Sequence, residues 1–119
     1  MKILIVDDNP VMRKTIRIIL AELTDTVLEC VDGSEVVSVY SEELPNYVFM
    51  DMDMPIMNGL EATQELLKAF PDAKVIFITN HNEHHLREAA IKAGAVGYYL
   101  KDNLINLKNY FRQMSVSYS

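Results

Sequence analysis

Tyr47-Val48-Phe49-Met50-Asp51-Met52-Asp53-Met54-Pro55-Ile56-Met57-Asn58-Gly59 joins a buried strand to a polar loop. Residues 47–50 are an unbroken apolar run, the pattern of a strand covered on both faces. The run ends directly on Asp51. Pro55 and Gly59 then mark a loop from Asp53 onward.

The same arrangement recurs on either side. Ile3–Val6 is an apolar, largely β-branched run that ends on Asp7-Asp8. Val75–Ile78 ends on Thr79, and Gly97–Leu100 ends on Lys101. Thr26–Val31 reads as a further strand, and Glu29 in its middle places it at a sheet edge. Helical patterns fill the intervals. Asn9 caps a helix with Pro10 at its first position, and Met12, Ile16, Ile19, Leu20 and Leu23 form its apolar face. Asp32-Gly33-Ser34 opens a short helix over about Glu35–Glu42. Thr63, Leu66, Leu67 and Phe70 mark the third helix, stopped by Pro71. Leu86, Ala89, Ala90 and Ala93 mark the fourth, closed by Gly94. Leu104, Leu107, Phe111 and Met114 mark the fifth, with Asp102 or Asn103 as its cap.

Five such βα units predict an α/β fold, a (βα)5 doubly wound domain with a five-stranded parallel sheet. Right-handed crossovers leave few topologies, and the flavodoxin-like strand order 2-1-3-4-5 is the expectation. A chain of 119 residues argues for one domain over residues 1–119. Half of it is hydrophobic, enough for a core without staples. With 11 basic against 17 acidic residues, its charge of −6 argues against direct nucleic-acid binding. The apolar run at the N-terminus is too short for a membrane span or a signal-peptide core. One cysteine, Cys30, cannot form an internal disulfide and reads as a buried, inert thiol, which suits a cytoplasmic protein.

Parallel strands put Asp7, Asp8, Asp51, Thr79 and Lys101 on one rim of the sheet. Crowded carboxylates resist joint ionisation. A hard divalent cation offsets that, and Mg²⁺ suits one or two carboxylates with waters and a phosphate. Lys101 adds positive charge and Thr79 a hydroxyl donor. Together they make a site for an incoming phosphoryl group, with a carboxylate available as nucleophile.

Four segments in this order resemble the receiver domain of the two-component response-regulator family. They are Ile5-Val6-Asp7-Asp8-Asn9, Met50 to Gly59, Ile78-Thr79, and Gly94-Ala95-Val96-Gly97-Tyr98-Tyr99-Leu100-Lys101. The resemblance spans Lys2 to about Met114. It implies Asp51 as phosphoacceptor, Asp8 as a direct Mg²⁺ ligand and Asp7 as the holder of a metal-bound water. It implies the backbone carbonyl of Asp53 as a third protein ligand to the metal. Lys101 matches the lysine on the phosphoryl group, Thr79 the hydroxyl that moves to the phosphate, and Tyr98 the aromatic residue whose rotamer reports the state. The implied partners are a histidine kinase or histidine phosphotransfer protein, and a downstream target on the face of the fourth helix, fifth strand and fifth helix. Dimerisation through helices 4 and 5, or 1 and 5, is compatible with the family. Such a chain is a phosphorylation switch, catalysing its own phosphorylation and dephosphorylation, rather than an enzyme of general turnover.

The sequence departs from the family at two positions. Asp102 follows Lys101 where Pro is frequent, and Asn80 follows Thr79 where Ala or Ser is more usual. The Lys101-Asp102 pair resembles receivers attached to DNA-binding output domains, which gives an alternative reading as the receiver of a transcription factor. A second alternative is a haloacid-dehalogenase-type phosphatase, since Asp51-Met52-Asp53 has the DxD pattern. That motif usually follows the first strand, and no cap domain is present to serve it. His81, His84 and His85 read as exposed residues near the start of the fourth helix rather than as metal ligands.

Overall fold

The computed structural model describes the backbone of residues 1–118 and the side chains of residues 1–113. Five strands, β1 (Lys2–Val6), β2 (Thr26–Cys30), β3 (Tyr47–Met50), β4 (Val75–Thr79) and β5 (Gly97–Leu100), form one sheet in the order β2-β1-β3-β4-β5. Every neighbouring pair is parallel. The expected (βα)5 flavodoxin-like topology is therefore what the chain adopts. Five helices alternate with the strands: α1 (Pro10–Ile19), α2 (Val36–Glu43), α3 (Gly59–Ala69), α4 (His84–Lys92) and α5 (Leu104–Tyr118).

The strand pleat sorts the core into two layers. Leu4, Val6, Val48, Met50, Val75 and Phe77 point to one face, where Val36, Tyr40, Ala62, Leu66 and Ala90 of α2, α3 and α4 cover them. Ile3, Ile5, Tyr47, Phe49, Ile76 and Ile78 point to the other face, under Ile16, Leu20, Leu104, Leu107 and Phe111 of α1, α5 and their flanks. Residues of one run thus serve both layers, which is why the central strands are apolar except at their ends, Lys2 in β1 and Thr79 in β4. Each fully buried aliphatic or aromatic side chain contributes about 1.5–3 kcal/mol.

Local signals act as the sequence suggests, with small shifts. The Asn9 side chain accepts from the amides of Val11 and Met12, and Pro10 opens α1. β2 is an edge strand, and its Glu29 is held by Arg13 and Arg17 of α1, each at 3.0 Å. It ends at Cys30, one residue early, because Val31 is already half exposed. Gly33–Glu35 winds a 3₁₀ turn before α2 begins at Val36. Gly94 takes φ +109° after α4, a conformation that L side chains rarely adopt. Lys101–Asn103 forms a 3₁₀ turn that leads into α5, in place of a single capping residue. Met114, expected on the buried stripe of α5, lies outside the described side chains. Cys30 is buried, and burial, with the nearby Glu35 charge, pushes its thiol up to about 12. Among the described residues, no helix is long and apolar enough to cross a membrane.

Candidate phosphorylation and metal site

The parallel strands deliver their polar ends to one rim. Asp7 follows β1 directly, and its amide donates to the carbonyl of Cys30 at the end of β2. The Asp51 amide donates to the carbonyl of Val6, so β3 places Asp51 beside Asp7. Carboxylate oxygens of Asp7, Asp8 and Asp51 lie within 4.8 Å of one another. Asp7 and Asp51 are buried, whereas Asp8 is exposed. Lys101, at the end of β5, reaches across the rim. Its Nζ stands 3.1 Å from Asp7 Oδ2 and 3.2 Å from Asp51 Oδ1.

The charge balance is incomplete. Three carboxylates face one ammonium. Burial, then the charge of Asp7, pushes the Asp51 carboxyl up to about 6, although Lys101 pulls the other way. Burial works against the Lys101 ammonium, and the charges of Asp51 and Asp7 outweigh it, holding that group above its ordinary range. A second cation would relieve the repulsion that one lysine leaves. The donor set is all oxygen, with one exposed carboxylate beside two buried ones, which fits Mg²⁺ retaining part of its water.

Asp53 behaves differently from the other acids. Its carboxylate is 75% exposed and meets His81 Nε2 at 2.5 Å. It stands outside the carboxylate cluster, which leaves the backbone carbonyl as the donor that the family resemblance assigns. His81 itself corrects the sequence reading of a merely exposed histidine. It is only partly exposed and precedes α4, so it has no helical i, i+4 relation to His85. Its amide donates to Thr79 Oγ1 at 3.1 Å, and its carbonyl accepts from the Tyr98 hydroxyl at 2.8 Å. The bond to Asp53, helped by the charges of Asp53 and Glu83, raises the imidazole above its ordinary value. His84 and His85 are exposed, as expected.

Thr79 is fully buried at the end of β4. Tyr98 is buried in β5, with its ring stacked near Phe77 at 6.1 Å and the Arg87 guanidinium 4.9 Å from its centroid. Asn80 is exposed beside them, and the Lys101–Asp102 peptide is trans. Thr79 and Tyr98 thus meet through the backbone of His81, a link that no spacing rule reveals.

Sequence reasoning also passed over Asp32. The sequence places it at the opening of a short helix, and its buried carboxylate also reaches the next loop, accepting from the amides of Ser34 (2.9 Å), Ile56 (2.9 Å) and Met57 (3.2 Å). The only available signal was a short polar residue before Gly33, which many turns share.

Known proteins carry the same pattern. The response regulator receiver domain model matches residues 3–111. The chemotaxis protein CheY of Halobacterium salinarum is 39% identical over 84% of this chain and 83% of its own length. The transcriptional regulatory protein YhcZ of Bacillus subtilis is 38% identical over 86% of this chain. The chain spans about half the length of the transcriptional regulators it matches, 48%, 49% and 44% for three of them. Among solved structures, a chain of the CheX–CheY–BeF3–Mg²⁺ complex from Borrelia burgdorferi superposes with a TM-score of 0.85 at 28% identity, over 98% of this chain and 88% of that one.

Proposed function

Because this chain belongs to the response regulator receiver domain family, we propose that it is a phosphorylation switch whose phosphoacceptor is Asp51. The observation that carries this is the position of Lys101 Nζ, within 3.2 Å of both Asp7 and Asp51 at the carboxyl rim of the sheet. A buried nucleophilic carboxylate with a fixed ammonium beside it is pre-arranged for a developing phosphoryl charge.

An Asp51 carboxylate oxygen attacks phosphorus. The new O–P bond forms as the donor's P–N bond breaks, and the electron pair leaves on the imidazole of a phosphohistidine, which takes up a proton. With acetyl phosphate the P–O bond breaks and acetate leaves. Lys101 moves its contact from the Asp51 carboxylate to the phosphoryl oxygens. Asp7, Asp8 and Asp51, with the Asp53 carbonyl, would hold Mg²⁺, which supplies neutralising charge for the phosphoryl oxygens. Mg²⁺ is named in the related Borrelia burgdorferi complex, which supports this assignment. Hydrolysis of the acyl phosphate by water resets the switch.

The acyl phosphate brings about −1.5 to −2 charge and new acceptor oxygens beside Thr79. Thr79 turns its hydroxyl toward them and releases the His81 amide. The Tyr98–His81 contact then re-forms in a second packing, altering the surface of α4, β5 and α5. A downstream protein reads that surface, and a histidine kinase or phosphotransfer protein supplies the phosphoryl group. A dehalogenase-type phosphatase is not favoured: Asp53, the second acid of that motif, is turned to His81.

Intact-mass measurement tests the assignment. With acetyl phosphate and Mg²⁺ the wild type gains one phosphate, and Asp51→Asn gains none. No gain by the wild type, or an equal gain by Asp51→Asn, overturns it.

A further inference from the structure

The loop from Asp51 to Gly59 carries both the nucleophile and the carbonyl of Asp53; Met54 and Met57 pack half-buried against the core, while its crest at Ile56 stands in solvent. Ile56 is 81% exposed. Apolar packing alone leaves that crest unheld. At its base, the Gly59 amide donates to the Met52 carbonyl at 2.9 Å. At its crest, the amides of Ile56 and Met57 donate to the Asp32 carboxylate. Asp32 is 5% exposed and comes from the turn after β2, on a different part of the chain. Gly33 lets that turn press in: a Cβ there would sit 2.5 Å from the Met57 carbonyl oxygen and 2.9 Å from the Ala62 Cβ. Burial alone would raise the Asp32 carboxyl, and the amides of Ile56, Ser34 and Met57 outweigh it, so it stays ionised below its ordinary range.

We propose that Asp32 is a positioning residue for the phosphorylation site: by gripping the Ile56 and Met57 amides, it fixes the loop that presents Asp53 to the metal. This rests on the receiver reading given above. Asp32 touches no ligand of the site. Its action is to spare the metal the cost of ordering the loop, so its loss weakens Mg²⁺ binding and leaves the phosphoryl transfer step itself nearly intact. Partners that hydrogen-bond a metal ligand directly are typically worth about 10–100-fold in affinity, and Asp32 acts one step further out, through the loop backbone.

Asp32 also accepts the Ser34 amide, and Glu35 accepts the amides of Val31 and Asp32, so the two acids close a capping box. That provides the control, because Glu35→Ala opens the same turn without touching Ile56 or Met57. Asp32→Asn, Asp32→Ala and Glu35→Ala are compared with the wild type by calorimetric Mg²⁺ titration, by amide hydrogen exchange, and by acetyl phosphate kinetics across Mg²⁺ concentrations. The expected result is an Mg²⁺ affinity lowered several-fold, up to about tenfold, in both Asp32 variants. Exchange at Ile56 and Met57 speeds up without metal, and the rate at saturating Mg²⁺ stays near wild type. Glu35→Ala keeps wild-type affinity. Wild-type affinity and protection in a folded Asp32→Asn, or an equal loss in Glu35→Ala, overturns the proposal. A wild type that neither binds Mg²⁺ nor takes phosphate would instead sink the receiver reading itself.

Discussion

Two loops flank the acidic rim, and they are held by opposite means. The loop between β3 and α3 is tied through its backbone amides to the buried Asp32, with Gly59 closing its base. The segment between β4 and α4 hangs on the Thr79 hydroxyl, the Tyr98 hydroxyl and the His81–Asp53 pair. The first loop has no ready exchange partner for its bonds, because a buried carboxylate with several donors is expensive to release. The second hangs on single bonds from the buried Thr79 and Tyr98 and on the exposed Asp53, bonds for which new phosphate oxygens can compete. One wall of the site is therefore clamped to a buried acid, and on the proposed switch reading the other is the one that moves. A switch needs both: a fixed frame to bind the incoming group, and a bistable element whose balance that group shifts.

The comparison breaks most severely at Gly33. Gly33→Ala forces a methyl against the Met57 carbonyl, so the fixed wall must shift, at a cost of about 1–3 kcal/mol. Urea denaturation at neutral pH measures it. A variant as stable as wild type would show that the loop yields, and that its fixity is overstated.

The floor between the walls should respond in the opposite direction. A carboxyl raised by folding lends stability that is fully present below its unfolded value of 3.8 and is lost as pH rises through about 6. Asp51→Asn removes a buried charge and its repulsion with Asp7, at the loss of the Lys101 attraction, so it stabilises the metal-free protein above pH 6 by about 1–2 kcal/mol. The gain should shrink toward pH 4. Mg²⁺ should shrink it too, by lending the wild type a counter-charge that the variant lacks in part. Thermal melts across pH, with and without Mg²⁺, check both points. A variant less stable than wild type at pH 8 would contradict the charge balance described here.

The smallest effect belongs to the movable wall. His81→Ala, Asp53→Asn and the double variant form a cycle whose coupling should be about 0.2–1 kcal/mol, because Asp53 is mostly exposed. The raised imidazole makes that coupling fully present below the ordinary histidine value, and it fades as pH rises through the folded one. A coupling as large as the cost of Gly33→Ala would erase the distinction between the walls.

Much of this was legible in the sequence. Uninterrupted apolar runs and 3.6-residue stripes gave five βα units, because a strand covered on both faces has no polar position to spare. Once the sheet is parallel, the residue that ends each run must lie on the same rim. Asp7, Asp51, Thr79 and Lys101 could therefore be collected before any coordinates were consulted. What periodicity does not encode is where a loop's polar groups turn. Asp32 to Ile56 spans 24 residues, Asp53 to His81 spans 28, and His81 to Tyr98 spans 17. The first and last join a backbone group of an irregular segment to a side chain, and the Asp53–His81 pair joins two side chains on such segments.

The sequence by itself thus determined the architecture and which polar residues share the rim, since both follow from short-range pattern and strand direction. Only the tertiary structure decided which loop is clamped to a buried acid and which is held through side-chain hydroxyls and an exposed ion pair. That depends on individual hydrogen bonds between distant turns, set when the packed layers bring those turns within about 3 Å.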